Sequence, residues 1–164
     1  MISKKMAQEI NAQINREFFS AFLYLAMAND AVEKGFLGTG EWMSIQFKEE
    51  QEHALKFSKY LQDQGVKVEL EAMEAPRKSW KSILEMFEDA LAHEKKVTAW
   101  INHLNTLAIA EKDYATQRML KWFIDEQVEE EAQCVEAISA LSMVGASAGS
   151  LYMVDRHIGK RGES

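Results

Sequence analysis

The spacing of six residues of metal-binding types places them on one face of each of four helices: Glu17, Glu50, His53, Glu94, Gln127 and Glu130. Each group interrupts an apolar stripe. Glu17 falls in Ile10, Ile14, Ala21, Ala28, and Glu50 falls in Met43, Phe47, Ala54, Phe57, Leu61, with His53 one turn on. Glu94 falls in Ile83, Phe87, Ala90, Val97, Ile101, Leu104, and Gln127 with Glu130 in Leu120, Phe123, Cys134, Leu141. Steps of three and four residues mark one helical face. A carboxylate on a buried face costs several kcal/mol unless it is paired. Four of them with a histidine, one group per helix, call for cations. Four carboxylates balance two divalent ions, and carboxylate with imidazole suits iron better than a soft metal. Glu50-x-x-His53 alone is a weak signal. Its weight comes from the other three stripes, and Glu50 is placed to bridge two ions.

A second acidic group, Glu49, Glu126 and Glu129, lies beside the first and could share Glu130 in a third, weaker cation site; a solvated helix face is the simpler alternative. Tyr24 lies two turns from Glu17 on the same face, as either an amphipathic core residue or a hydrogen-bonding one-electron donor near the metals. Trp122, His93, His103 and His157 read as packing or surface residues, and Cys134 as a small core residue.

The elements that must position these side chains are long helices. One proline and 8 glycines leave few breaks. The pattern predicts helices over about 4–34, 41–64, 77–107 and 113–144, capped by Ser3 and Asp113, and a short fifth helix over about 149–158. Gly35 to Gly40 is a break, residues 66–71 look extended, and the tail 159–164 is expected to be loose. Short breaks after helices one and three make antiparallel pairs. From Gly65 to Pro76 an extended chain reaches about 40 Å, and a helix of about 25 residues is about 37 Å long. One long crossover can therefore make helices two and three parallel, the ferritin-like four-helix bundle. Measured from the first break, Glu17 and Glu50 differ in depth by about two turns, which stagger must absorb.

The 164 residues suggest one domain over 1–164. A net charge of −7 argues against nucleic-acid and anionic-membrane binding. The single cysteine suits a reducing, cytoplasmic compartment. No secretory signal and no membrane span is visible.

The chain resembles the bacterial non-haem ferritins along nearly its whole length. The matching stretches are Asn15-Arg-Glu17 with Tyr24-Leu-Ala-Met, Glu49-Glu-Gln-Glu-His53-Ala, His93-Glu94, and Trp122-Phe-Ile-Asp-Glu-Gln-Val-Glu-Glu-Glu131. The resemblance implies that Glu17, Glu50 and His53 bind one iron, and Glu50, Glu94 and Glu130 the other, with Gln127 alongside. It implies a third iron at Glu49, Glu126, Glu129 and Glu130. It further implies oxidation of Fe²⁺ by O₂ or peroxide, and storage of the ferric mineral in a hollow homo-oligomer of twenty-four subunits. Bacterioferritins carry a second Glu-x-x-His where this chain has Gln127 and Glu130, and a haem-binding Met where it has Gln51, so the protein is expected to lack haem. Arg118 and Lys121 stand where animal ferritins line an iron channel with acids, which implies entry elsewhere. A rubrerythrin- or bacterioferritin-type oxidoreductase and a metal-free helical scaffold are the rival readings.

Overall fold

The computed structural model describes residues 2–163. The described residues form α1 (Lys4–Glu33), α2 (Leu37–Asp63), α3 (Ile83–Glu111), α4 (Tyr114–Val144), α5 (Ala148–Ile158) and a 3-10 helix over Gly159–Glu163, with no strand. α1 packs most extensively on α2, and α3 on α4. Tyr24 meets Glu94, Ser20 meets His93, Arg16 meets Trp100 and Glu9 meets His103, so α1 and α3 run antiparallel. α2 reverses from α1 across residues 34–36 and is therefore parallel to α3. The long crossover is the consequence. It runs beside α1, tied by side chain-to-backbone bonds. Asn11 and Asn15 donate to Glu69 O and accept from Glu69 N and Glu71 N, and Asp30 accepts from Trp80 N. These are the ferritin-like four-helix bundle and short fifth helix expected from the sequence. Among the described residues, no helix is long and apolar enough to cross a membrane.

Ser3, Ser82 and Asp113 cap α1, α3 and α4, accepting from Met6 N, Glu85 N and Thr116 N at 3.0, 3.1 and 3.0 Å. α3 begins at Ile83 rather than near residue 77 because Ser82-x-x-Glu85 forms a capping arrangement, with Glu85 accepting from Lys81 N. Arg77 folds back onto Glu85 and Asp89 instead of starting the helix.

α2 begins at Leu37, earlier than expected, and runs straight through Gly38 and Gly40. Its cap comes from α5: Asp155 accepts from Gly38 N (2.9 Å), Thr39 N (2.7 Å) and Thr39 Oγ1 (2.7 Å). A Cβ at Gly38 would lie 1.9 Å from Asp155 O, so only glycine permits this approach. The added turn also reduces the depth mismatch. Glu17 lies sixteen residues before the end of α1 and Glu50 thirteen after the start of α2. Asp155→Ala removes three charge-assisted bonds and is expected to cost about 2 kcal/mol. An unchanged thermal melt would mean that α5 is not anchored there.

The apolar core falls into two clusters. One contains Tyr24, Met27, Met43, Trp80, Phe87, Cys134 and Leu141. The other contains Ile10, Ile14, Phe57, Val97, Ile101 and Phe123. Between them lies a buried polar layer of Gln13, Glu17, Ser20, Gln46, Glu50, His53, His93, Glu94, Gln127 and Glu130.

Candidate metal centre

All four bundle helices enter this polar layer, so each contributes its carboxylate at the same depth. Glu17, Glu50 and His53 offer ligand atoms that all lie within 4.8 Å of one another, as do Glu50, Glu94 and Glu130. Glu50 belongs to both groups. A third group of the same tightness joins His53, Glu126 and Glu130.

Few protein groups satisfy these carboxylates. Gln13 Nε2 donates to Glu17 Oε1 (2.8 Å) and Gln46 Nε2 to Glu50 Oε1 (3.2 Å). Gln46 Nε2 also donates to Glu130 Oε2. Glu94 accepts from Tyr24 Oη and, at 3.1 Å, from Gln127 Nε2, which also faces Thr98 Oγ1 at 3.2 Å. Glu17 Oε2 and Glu50 Oε2 are buried with no hydrogen-bond partner among the described residues. Glu50 Oε2 lies 3.6 Å from His53 Nδ1. A buried, orphaned carboxylate oxygen is expensive, and two of them pointing into one cluster suit a cation.

Electrostatics agree. Burial, then the neighbouring Glu50 charge, pushes Glu17 well above the usual carboxylate range. Burial, followed by the charge of Glu94, does the same to Glu50, and burial with the charges of Glu50 and Glu94 to Glu130. Glu94 is also raised by burial, against the lowering effect of the Tyr24 and Gln127 hydrogen bonds. Like charges in a poorly solvating layer hold protons until a metal replaces them. Tyr24 is itself pushed up, by burial and then by the Glu94 charge, so it stays a neutral donor. Tyr24→Phe is expected to destabilise the metal-free protein by about 1–2 kcal/mol. Thermal denaturation in chelator measures this, and an unchanged midpoint would remove Tyr24 from the site's support.

Among the described residues, the outer acidic group enters a tight group of three through Glu126 and Glu130. Glu126 is half-buried and joins His53 and Glu130. Glu129 is exposed, and no tight group of three among the described residues includes it or Glu49. Glu49 is instead bound by Arg161, whose Nη2 donates to Glu49 Oε2 at 2.7 Å. The 3-10 tail is thus an ordered part of the site's surroundings rather than loose; Ser164 lies outside the described residues. Arg118 and Lys121 are exposed on the first half of α4.

His53 packs edge-on against Trp122, with ring centroids 5.4 Å apart, and Lys56 Nζ sits 3.2 Å above the Trp122 ring. His93, expected at the surface or in packing, is buried with Nε2 2.7 Å from Ser20 Oγ. Burial lowers it to about 4, so it is neutral, and it belongs to none of the three tight groups. His103 and His157 are exposed. The Cys134 thiol is pushed up by burial, which makes it inert core. Sequence reasoning misses Gln13 and Gln46. Their signal is a repeated Gln-x-x-x-Glu, Gln13 to Glu17 and Gln46 to Glu50, an i, i+4 pair on two helices.

Comparison with known proteins agrees with this geometry. Residues 7–144 match the family model for the ferritin-like domain, Ferritin. The chain is 38% identical over 161 residues to the bacterial non-heme ferritin of Staphylococcus aureus, covering 98% of this chain and 97% of that protein. The Staphylococcus haemolyticus protein of the same name matches with the same identity and coverage. Among solved structures, an open-pore ferritin from the hyperthermophilic archaeon Archaeoglobus fulgidus matches with a TM-score of 0.96 at 39% identity, over 98% of this chain and 99% of that one. The chain belongs to the ferritin family, and bacterial non-haem ferritins are among its relatives.

Proposed function

We propose that this protein is an iron-storing ferroxidase: one ferritin-like domain per chain oxidises Fe²⁺ with O₂ or peroxide and passes the ferric product into a hollow shell of twenty-four copies. The observation that carries this reading is the pair of buried triads sharing Glu50, with two orphaned carboxylate oxygens aimed into them. Glu17, Glu50 and His53 hold one Fe²⁺; Glu50, Glu94 and Glu130 hold the other, with Gln127 beside it. A third ion sits outside the pair, with Glu126 and Glu130 the residues best placed for it. The four central carboxylates neutralise two Fe²⁺; as each ion gives up one electron, oxygen anions from the reduced oxidant and water meet the two further positive charges. The pair supplies the two electrons that reduce O₂ to peroxide, or peroxide to water. Tyr24 fixes the orientation of Glu94 through its hydrogen bond. Mostly oxygen ligation binds ferric ions without trapping them in a soft-ligand cage, so the product can leave.

Several features support the wider setting. Gln51, rather than Met, supports a haem-free protein. The net charge of −7 supports working without nucleic acid or membrane, and the lone cysteine supports the cytoplasm. Apo-protein mixed with Fe²⁺ and O₂ in a stopped-flow spectrometer is expected to oxidise two ions per chain in a fast phase. Light scattering on the same sample is expected to show a large closed particle. Slow oxidation at the rate of free iron, or only monomers and dimers at several salt levels, would overturn the proposal.

A further inference from the structure

The end of the chain reaches back to the metal cluster through one cation. Arg161 lies on the 3-10 helix Gly159–Glu163, which continues from α5. Its Nη1 donates to Gln46 Oε1 and its Nη2 to Glu49 Oε2, both at 2.7 Å, and its guanidinium lies 4.7 Å from the centre of the Trp42 ring. The side chain is 18% exposed, so this is an embedded contact rather than a loose surface pair. Gln46 carries the effect inward. A guanidinium can only donate, so it fixes the amide oxygen of Gln46 towards the tail. The amide NH₂ then faces the cluster, where it donates to Glu50 and Glu130. Both carboxylates belong to the triad with Glu94.

Resting on the ferroxidase reading above, we propose that Arg161 is a tail-borne counter-cation at the outer lip of the site, so that an additional iron ion and the C-terminal tail compete for Glu49. While Arg161 is docked, Glu49 is neutralised by protein and its carboxylate is engaged. Among the described residues, Glu126 and Glu130, with His53, then form the tight group at the outer cation position. When the tail lifts, Glu49 is freed and the Gln46 amide can turn, loosening its hold on Glu50 and Glu130. Arg161 is thus a positioning residue for the two shared ligands and a competitor of the third ion. Contacts of the preceding segment help to keep it in place. Asp155 holds α5 on the start of α2, and Gly159 packs against Gly38.

The test is calorimetric titration of assembled apo-protein with Fe²⁺ alone under argon. The parent, Arg161→Gln, Glu49→Gln and the double variant are compared. Arg161→Gln is expected to bind the third ion about tenfold more tightly than the parent, or to gain it outright. The two inner ions should change less, and the gain should vanish in the Glu49→Gln background. In the unmutated protein, the backbone amides of residues 159–163 are expected to exchange faster with solvent as the third equivalent of Fe²⁺ binds. A merely structural tail would not show that rise. Unchanged third-ion affinity in Arg161→Gln, or a third ion that binds without altering tail exchange, overturns the competition and leaves the two-iron site standing. No iron binding in any of the four proteins overturns the ferroxidase reading, and this inference with it.

Discussion

Glu50→Gln is expected to melt at or above the parent in the metal-free state, while its Fe²⁺ oxidation falls at least about 100-fold. Glutamine keeps the shape, so no cavity opens. It drops a charge that burial and Glu94 disfavour and that in turn raises Glu17 and Glu130. A folded-state value raised above the ordinary 4.5 means that the folded protein holds this proton more tightly than the unfolded chain. The favourable contribution is therefore complete below that ordinary value and is lost as pH rises through the raised folded value. The advantage of Glu50→Gln should accordingly be small in acid and grow towards neutral pH. Catalysis fails for a separate reason: both inner triads lose their common ligand. Melting curves in chelator across pH, with stopped-flow oxidation, measure both halves. A variant melting well below the parent would make Glu50 a structural residue, and one oxidising at the parent's rate would remove it from the reaction.

Loading the centre is expected to stabilise the parent strongly and to release protons. A ligand bound only by the folded state contributes about 2.7 kcal/mol when its free concentration is a hundred times its dissociation constant. Glu17, Glu50, Glu94 and Glu130 all sit above their ordinary range, with burial the first cause. The metal must displace the protons that these groups hold above the ordinary carboxylate range. Anaerobic Fe²⁺ or redox-inert Zn²⁺, added to apo-protein in weak buffer with an indicator dye, should acidify the solution and raise the melting midpoint together. Glu50→Gln should release fewer protons. Binding without proton release would contradict the picture of crowded, partly protonated carboxylates.

The four stripes and their interruptions are readable in the sequence because helical periodicity and burial preference are local, repeated signals. Ile14, Glu17 and Ala21 need no knowledge of the rest of the chain to be placed on one face. The crossover is legible from length alone, although not its attachment through Asn11 and Asn15. What escapes is held by distant partners. The start of α2 depends on Asp155, 116 residues beyond Thr39. Leu37 therefore opens a helix that its own neighbours do not announce, and Gly38 and Gly40, which look like breakers, sit inside it. The start of α3 is a different case, since Ser82-x-x-Glu85 is a local capping signal that placing the start at residue 77 overlooks. In the site, the inner carboxylates stand on strict stripes. Glu49 and Glu129 lie off them, and the surroundings of Glu49 depend on a tail more than 100 residues away. The resemblance groups Glu49 and Glu129 with Glu126 and Glu130; Arg161 binds Glu49, and Glu129 is exposed. Gln13 and Gln46 are written in the sequence at i, i+4 from Glu17 and Glu50. They become informative only when burial shows that these carboxylates have few other donors.

The central claim is that one subunit holds two iron ions side by side on Glu50. Anomalous diffraction at the iron edge, from apo crystals soaked briefly in Fe²⁺ under argon, tests it most directly. Two adjacent peaks inside the bundle are expected, one among Glu17, Glu50 and His53 and one among Glu50, Glu94 and Glu130. Iron found only on surface carboxylates, or bound between subunits with the buried layer left without a peak, would contradict the account.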